Sequence, residues 1–284
     1  MAGEKVALQG AQETLLVTLC AKAGESRLPD SLLGDRFAAE ALARLDYDFD
    51  GLKIDRDMMI GIALRAHVID GWTRAFLGRH PEATVLHLGC GLDSRVFRIA
   101  PAASVRWFDL DYPAVIALRE RLYPAREGCT LLASSVTEPG WLDAVPRDRP
   151  ALVIAEGILP YLPPEEVTLL LERVTGHLPG GEIVFDAYSR LGLALIAWQP
   201  SIRATGAKLL WSLDEPEELL RQFPRFELVE ELAGYGPGGY DPHQVARMSL
   251  VARLAIPVMG LVPALSRIGR LLRFRFGSVG AEGG

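Results

Sequence analysis

The segment Thr84 to Ile99 reads TVLHLGCGLDSRVFRI. Thr84–Leu88 is an apolar run of strand length, and the chain leaves it through Gly89-Cys90-Gly91. Residues without a Cβ let a ligand approach the backbone. Asp93 or Ser94 is placed to cap the next helix. About 20 residues beyond the glycines, at the spacing of a ribose acid, VRWFDLDYP sets Asp109 and Asp111 at the end of a second apolar run. Asp111 fits the spacing better, and the other aspartate is expected to cap the helix that begins near Pro113. Farther on, LVIAEGILPYLPPEEV puts Glu156 directly after another apolar strand. A buried carboxylate without a partner is costly, so Glu156 needs a ligand or a basic neighbour. Ligand contact is the expectation.

Together these features describe a nucleoside site. A dinucleotide dehydrogenase carries G-x-G-x-x-G, with pyrophosphate on the helix N-terminus. Here Ser94 stands in the third glycine's place, with Asp93 before it. Acid at that end disfavours pyrophosphate. It is harmless to an uncharged nucleoside and favourable beside a cation. S-adenosylmethionine (SAM), with a sulfonium and no phosphate, meets that description; an NAD-dependent dehydrogenase is the competing reading.

The elements that would hold such a site follow from periodicity. Up to His80 the pattern is helical: DSLLGDRFAAEALARL, with Asp30 as N-cap, and MMIGIALRAHVIDGWTRAFLGRH, ending before Pro81. After Pro81, strands are predicted at Thr84–Leu88, Val105–Asp109, Cys129–Ala133, Ala151–Ala155, Glu182–Asp186, Glu227–Ala233 and Met248–Ala255. Helices are predicted at Ser94–Ile99, Tyr112–Tyr123, Pro164–His177 and Glu215–Phe223. Alternating strands and helices argue for a doubly wound, mostly parallel α/β sheet. The last two strands, joined by GYGPGGYDP, are expected to form an antiparallel edge hairpin. This is the Rossmann-like seven-stranded arrangement of class I methyltransferases.

Three regions are read: a helical cap over 1–80, a core over 81–256, and a C-terminal amphipathic helix and tail over 257–284. Within the core, 189–214 is either a lid over the carboxyl ends of the strands or an extra helix pair on the core. The C-terminal stretch LVPALSRIGRLLRFRFG carries Arg267, Arg270, Arg273 and Arg275. Its helix is read as a packing or homo-oligomer element rather than a membrane-surface one.

Of the 284 residues, 49% are hydrophobic and 23% charged, as in a protein with a full core, and the net charge is -6. That balance argues against nucleic acid as a partner. No apolar run reaches the ~18 residues of a membrane span. Three cysteines, Cys20, Cys90 and Cys129, match no metal or redox spacing and suit the cytoplasm. No metal site is read.

VLHLGCGLDSRVFRI, WFDLDYP and LVIAEGILPYLPPEEV, in this order, resemble the leucine carboxyl methyltransferase family. The likeness extends to ETLLVTLCAKAGESRLPDSLLGD and IALRAHVIDGWTRAFLGRHPEATVLHLG, which are similar to its bacterial polyketide O-methyltransferase branch. It runs from about Thr14 to Ser189 and thins afterwards. The resemblance implies a SAM-dependent O-methyltransferase of polyketide or other secondary metabolism. The acceptor would be a carboxylate or phenolic oxygen of a small natural product.

The resemblance assigns Arg65 to the carboxylate of the methionine moiety; without it, Arg65 reads as a solvated helix residue. It also assigns Gly89 and Gly91 to the cofactor, Asp111 to the ribose and Glu156 to the acid after the fourth strand. Lys22 matches a lysine near the cofactor carboxylate, though its local spacing is poor. Where the family has an Asp-Leu pair near the adenine, this chain has Ser135 and Val136. That departure, and the lack of an evident base, keep open a non-catalytic or repurposed SAM-binding protein.

For a phenolic acceptor a base would help. His67 and His243 are candidates, as are Tyr161 and Tyr188, whose alternative role is to line the pocket. The readings together predict that Glu156→Ala and Asp111→Ala weaken SAM binding without unfolding the chain.

Overall fold

In the computed structural model, which describes residues 4–5, 13–236 and 239–277, the apolar runs assemble into one seven-stranded sheet. Its strands are β1 (Thr84–Leu88), β2 (Arg106–Asp111), β3 (Cys129–Ala133), β4 (Ala151–Ala155), β5 (Gly180–Tyr188), β6 (Phe226–Ala233) and β7 (Gly269–Gly277). They lie in the order β3-β2-β1-β4-β5-β7-β6. β1 to β5 are parallel; β7 is antiparallel to both β5 and β6. The strand order reverses between β1 and β4, and an open sheet binds ligands outside the carboxyl ends at such a point.

The central strands are apolar on both faces because both faces are covered. Val85 and Trp107 point toward α3 (Arg56–Arg79), where they meet Ile69, Trp72 and Phe76. Leu86, Leu88 and Phe108 point the other way and share a core with Val167, Leu170 and Leu171 of the helix Pro164–His177. α1 (Thr14–Glu25) and α2 (Arg36–Arg44) build a second core with Leu92, Val115 and Leu118. Asp35, rather than Asp30, caps α2, accepting from the Ala38 amide at 2.9 Å. α3 is capped by Asp55 in the same way.

Two expectations fail at the C-terminal end. Met248–Ala255 is not a strand: a helix occupies Leu250–Gly260, with Ser249 as its N-cap. The amphipathic helix expected over 257–284 is instead β7, and with it goes the expected oligomer helix; the tail from 278 lies outside the described residues. The antiparallel pair is therefore real, but its second strand lies later in the chain. Ion pairs run along it. Arg275 meets Glu227 at 2.9 Å, Arg273 meets Glu230 at 3.5 Å and Arg270 meets Glu231 at 3.1 Å. A register shift between Leu228 and Glu230 accommodates the pattern. On the other side Arg273 reaches Glu182 of β5 at 2.7 Å.

The 189–214 segment forms two short helices, Arg190–Ala197 and Pro200–Thr205. It returns beside the strand ends, where Leu210 and Trp211 donate to the Pro160 carbonyl. Among the described residues, no helix is long and apolar enough to cross a membrane.

Candidate functional site

A pocket opens at the carboxyl end of β1, lined from both the cap and the sheet. α1 contributes Thr14, Thr18 and Lys22, and α3 contributes Arg65. The sheet side contributes Gly89, Gly91, Asp111, Val136, Glu156 and Tyr161, among others.

The glycine turn is shaped by its surroundings. Gly89 and Gly91 have φ of +58° and +51°, a region that costs other residues energy. A Cβ on Gly89 would lie 2.4 Å from Ile158 Cδ1. The Gly91 amide donates to Asp111 Oδ2 at 2.7 Å, and the Tyr112 amide donates to Oδ1 at 2.7 Å. Arg119 donates to the carbonyls of Gly91 and Asp93, at 3.2 and 2.6 Å. The loop is thus held from both sides.

Asp109 and Asp111 divide as their strand positions dictate. Asp109 points into the sheet, fully buried, against Arg119 at 2.5 Å, Trp107 Nε1 at 2.7 Å and His87 Nδ1 at 3.2 Å. Burial would raise its pKa, but Arg119 and His87 overcome this and bring it to about 2. It caps no helix. Asp111 faces the pocket, where burial raises its pKa against the pull of the two amides. Ser94 occupies the N-cap position of α4 (Arg95–Ile99), but its side chain makes no capping hydrogen bond. Ser94 donates to Asp35 instead, and Asp93 pairs with Lys22 at 2.8 Å and Arg98 at 2.6 Å.

Glu156 has basic neighbours rather than an empty environment. Lys22 Nζ lies 3.3 Å away and Arg65 Nε 3.1 Å, and Arg95 makes a further direct bond. Burial pushes the Glu156 carboxyl up, but Lys22, Arg95 and Arg65 outweigh it and hold the group well below the usual range. Arg65 is not a solvated helix residue: its side chain is 15% exposed and also pairs with Asp186 at 2.9 Å. Its remaining amino group, Nη2, sits at the wall beside Gly157. The cavity encloses about 150 Å³.

Other expected residues separate. Val136 lines the pocket, but the Ser135 hydroxyl turns to Thr137 at 2.9 Å, and Ser134 takes the place on the wall. Tyr161 lines the pocket; burial raises its pKa. Tyr188 lies behind it at the end of β5, and burial raises its pKa too. His67 and His243 are exposed and line no part of the pocket. His87 does line it, but its ring nitrogens face Asp109 and Arg95. Among the described residues, no group of three or more His, Cys, Asp or Glu is arranged to hold a metal ion. Sequence reading missed Arg95 and Arg119; only their places among the buried positions of α4 and of the helix Pro113–Leu122 signal them.

Known proteins place this arrangement. The family model for leucine carboxyl methyltransferase matches residues 15–128. The tetracenomycin polyketide synthesis O-methyltransferase TcmP of Streptomyces glaucescens is 42% identical over 96% of this chain and 100% of its own length. An S-adenosyl-L-methionine-dependent methyltransferase of Gibberella zeae, dpfgK, is 36% identical over 80% of this chain and 84% of its own. A solved structure from Thermobifida fusca, 20% identical, has the same fold, with a TM-score of 0.59 over 93% of this chain and 94% of that one. The chain therefore belongs to the leucine carboxyl methyltransferase family, in the branch that includes the bacterial polyketide O-methyltransferases.

Proposed function

We propose that this protein is a SAM-dependent O-methyltransferase that acts on a carboxylate or phenolic oxygen of a small, polyketide-like natural product. The observation that carries the reading is one pocket with two chemically distinct ends. Asp111 stands at a bare glycine turn, and Lys22 and Arg65 line the same pocket from the cap helices. An acid suits ribose hydroxyls, and cations suit the carboxylate of a methionine moiety. The start of α4 lies among the Asp93 and Asp35 carboxylates, which disfavours the pyrophosphate of NAD. The full-length match to a polyketide O-methyltransferase supports the same reading.

Bound SAM, which Asp111, Lys22 and Arg65 would hold, would supply an electrophilic methyl on a sulfonium leaving group. The chain's own residues bind and orient. Asp111 has two backbone donors and retains lone pairs for ribose hydroxyls. Val136 offers an apolar surface to adenine, with Ser134 rather than Ser135 beside it. Glu156 fixes Lys22 and Arg65 where they meet a carboxylate. Burial keeps the Tyr161 and Tyr188 hydroxyls protonated, so they suit donating to an acceptor oxygen, not removing its proton. A carboxylate acceptor, with an ordinary pKa of about 4, needs no base. The Arg190–Ala197 helix, with Trp198 75% exposed beyond it, is proposed as part of a lid over the entrance. Three free thiols support a cytoplasmic location.

Calorimetry with SAM and with NAD tests the reading, followed by incubation with methyl-labelled SAM and aromatic acids or phenols. Binding of NAD but not SAM overturns it. Tight SAM binding with no label transfer to any acceptor points instead to a non-catalytic SAM-binding protein.

A further inference from the structure

Ion pairs tie α3 to one face of β5 at both ends of their contact. Val184 packs on that face with Ile69, Trp72 and Phe76 of α3. Side chains alternate along a strand, so Glu182 and Asp186 share the face with it. Glu182 meets Arg79 at 2.8 Å, with Arg79 45% exposed, and neither residue lines the pocket. That pair fastens the far end of the helix. At the other end Asp186 meets Arg65 Nη1 at 2.9 Å, and both side chains are buried or nearly so.

Asp186 divides its oxygens between two parts of the pocket wall. Oδ2 accepts from Arg65, which α3 carries. Oδ1 accepts from the Gly157 amide at 2.5 Å, in the turn after β4. Gly157 has φ of +68°, and a Cβ on it would lie 3.3 Å from Arg65 Nη2. Arg65 and Gly157 both line the pocket, and Asp186 does not. Any effect of Asp186 on a ligand therefore passes through those two residues.

Arg65 is held at Nε by Glu156, at 3.1 Å, and at Nη1 by Asp186. Among the described residues, Nη2 makes no hydrogen bond. The donors of a guanidinium form a rigid planar fork, so fixing two nitrogens also fixes the direction of the third. Burial works against the Arg65 charge, and Asp186, ahead of Glu156, maintains it.

We infer that Asp186 is a positioning residue for the amino-acid end of the cofactor: it holds Arg65 and the Gly157 turn so that Nη2 is presented to a carboxylate. The inference rests on the SAM reading for the identity of that ligand.

The test is calorimetric titration with S-adenosylhomocysteine and with 5′-methylthioadenosine, a nucleoside thioether that lacks the amino-acid arm. Asp186→Asn keeps the shape, but its amide NH2 must face one of the two donors. The expected result is a weakening of S-adenosylhomocysteine binding by roughly tenfold or more, with 5′-methylthioadenosine affinity unchanged. Arg65→Gln should do the same. Adding Asp186→Asn to it should cost nothing more, because no guanidinium is left to hold. That double variant leaves no unpaired charge at the contact, so it reports on Asp186 even where the single variant folds poorly. Three results overturn the inference: unchanged S-adenosylhomocysteine affinity in Asp186→Asn, equal loss of both ligands, or a further loss in the double variant beyond Arg65→Gln. If the unaltered chain binds neither ligand, the SAM reading itself fails and this inference fails with it.

Discussion

Arg95 and Glu156 form a direct ion pair from which water is excluded: the Arg95 side chain is fully buried and that of Glu156 is 3% exposed. The pair joins the end of β4 to the helix after the glycine turn. Arg95 also bonds to Asp70 of α3 at 2.7 Å, and Lys22 brings in α1. Cap, turn and sheet are therefore tied at one carboxylate. Such a cluster is costly to desolvate, so its members depend on one another.

Glu156→Ala is accordingly expected to damage the fold, contrary to the outcome predicted from sequence. It would leave three cations facing a vacated site. Breaking a buried pair by removing one partner costs about 3–5 kcal/mol, so urea unfolding should show a loss of that order. Glu156→Gln keeps the shape and should lose less. A variant as stable as the parent would mean that the cluster contributes nothing to the fold.

For Asp111 the expected effect falls mainly on the ligand. Its carboxylate satisfies two amides and faces the pocket. A hydrogen bond to a charged group contributes about 1.5–3 kcal/mol, so Asp111→Asn should weaken SAM binding by roughly 10- to 100-fold. The Asn oxygen can still accept from Gly91, so the melting temperature should move little. Asp111→Ala orphans both amides and should lose stability as well. Calorimetry beside thermal melts separates the two effects; unchanged SAM affinity in Asp111→Asn removes this residue from the site.

The sheet's centre was legible because β4 is an uninterrupted apolar run, β1 is broken only by His87 after its first residue, and the glycine turn has its own chemistry. The C-terminal third was harder to read for a physical reason. In SRIGRLLRFRFG, arginines at 267, 270 and 273 mimic helical spacing. The decisive signal is the long-range match of Arg270, Arg273 and Arg275 to Glu182, Glu227, Glu230 and Glu231. In the site, Asp111 was legible from its distance to the glycines. Arg119 was not, because an arginine among apolar residues of a helix reads as surface until the fold buries it. His67 looked chemically able in sequence, yet α3 turns it to solvent.

Gly89 should tolerate no side chain. At φ +58° an alanine is strained by about 1–2 kcal/mol, and its Cβ would strike Ile158. Gly89→Ala should therefore lower stability and SAM affinity together. Adding Ile158→Ala relieves the collision but not the backbone strain, so the double variant should recover SAM binding only in part. Full recovery would assign the whole effect to Ile158 and none to the turn.

The titrating groups predict a stability plateau bounded on both sides. Burial raises the pKa values of Asp93, Asp70, Glu156, Asp109 and Glu182, but their cationic partners prevail and depress all five. A depressed carboxyl contributes stability above its unfolded pKa, 3.8 for Asp and 4.5 for Glu. That contribution is lost as pH falls through the folded value, about 2 for Asp109. Asp111 has the opposite sign and offsets a small part of the loss. At the alkaline end, burial raises Tyr161, Tyr188 and Tyr240, so their contribution is present below pH 10.0 and lost as pH rises beyond it. Thermal melts should thus be level across neutral pH and fall steeply below about pH 4.5. Glu156→Gln removes one depressed carboxyl and should flatten the acid limb. An acid limb of the same slope in that variant would mean that Glu156 does not titrate as its three cations require.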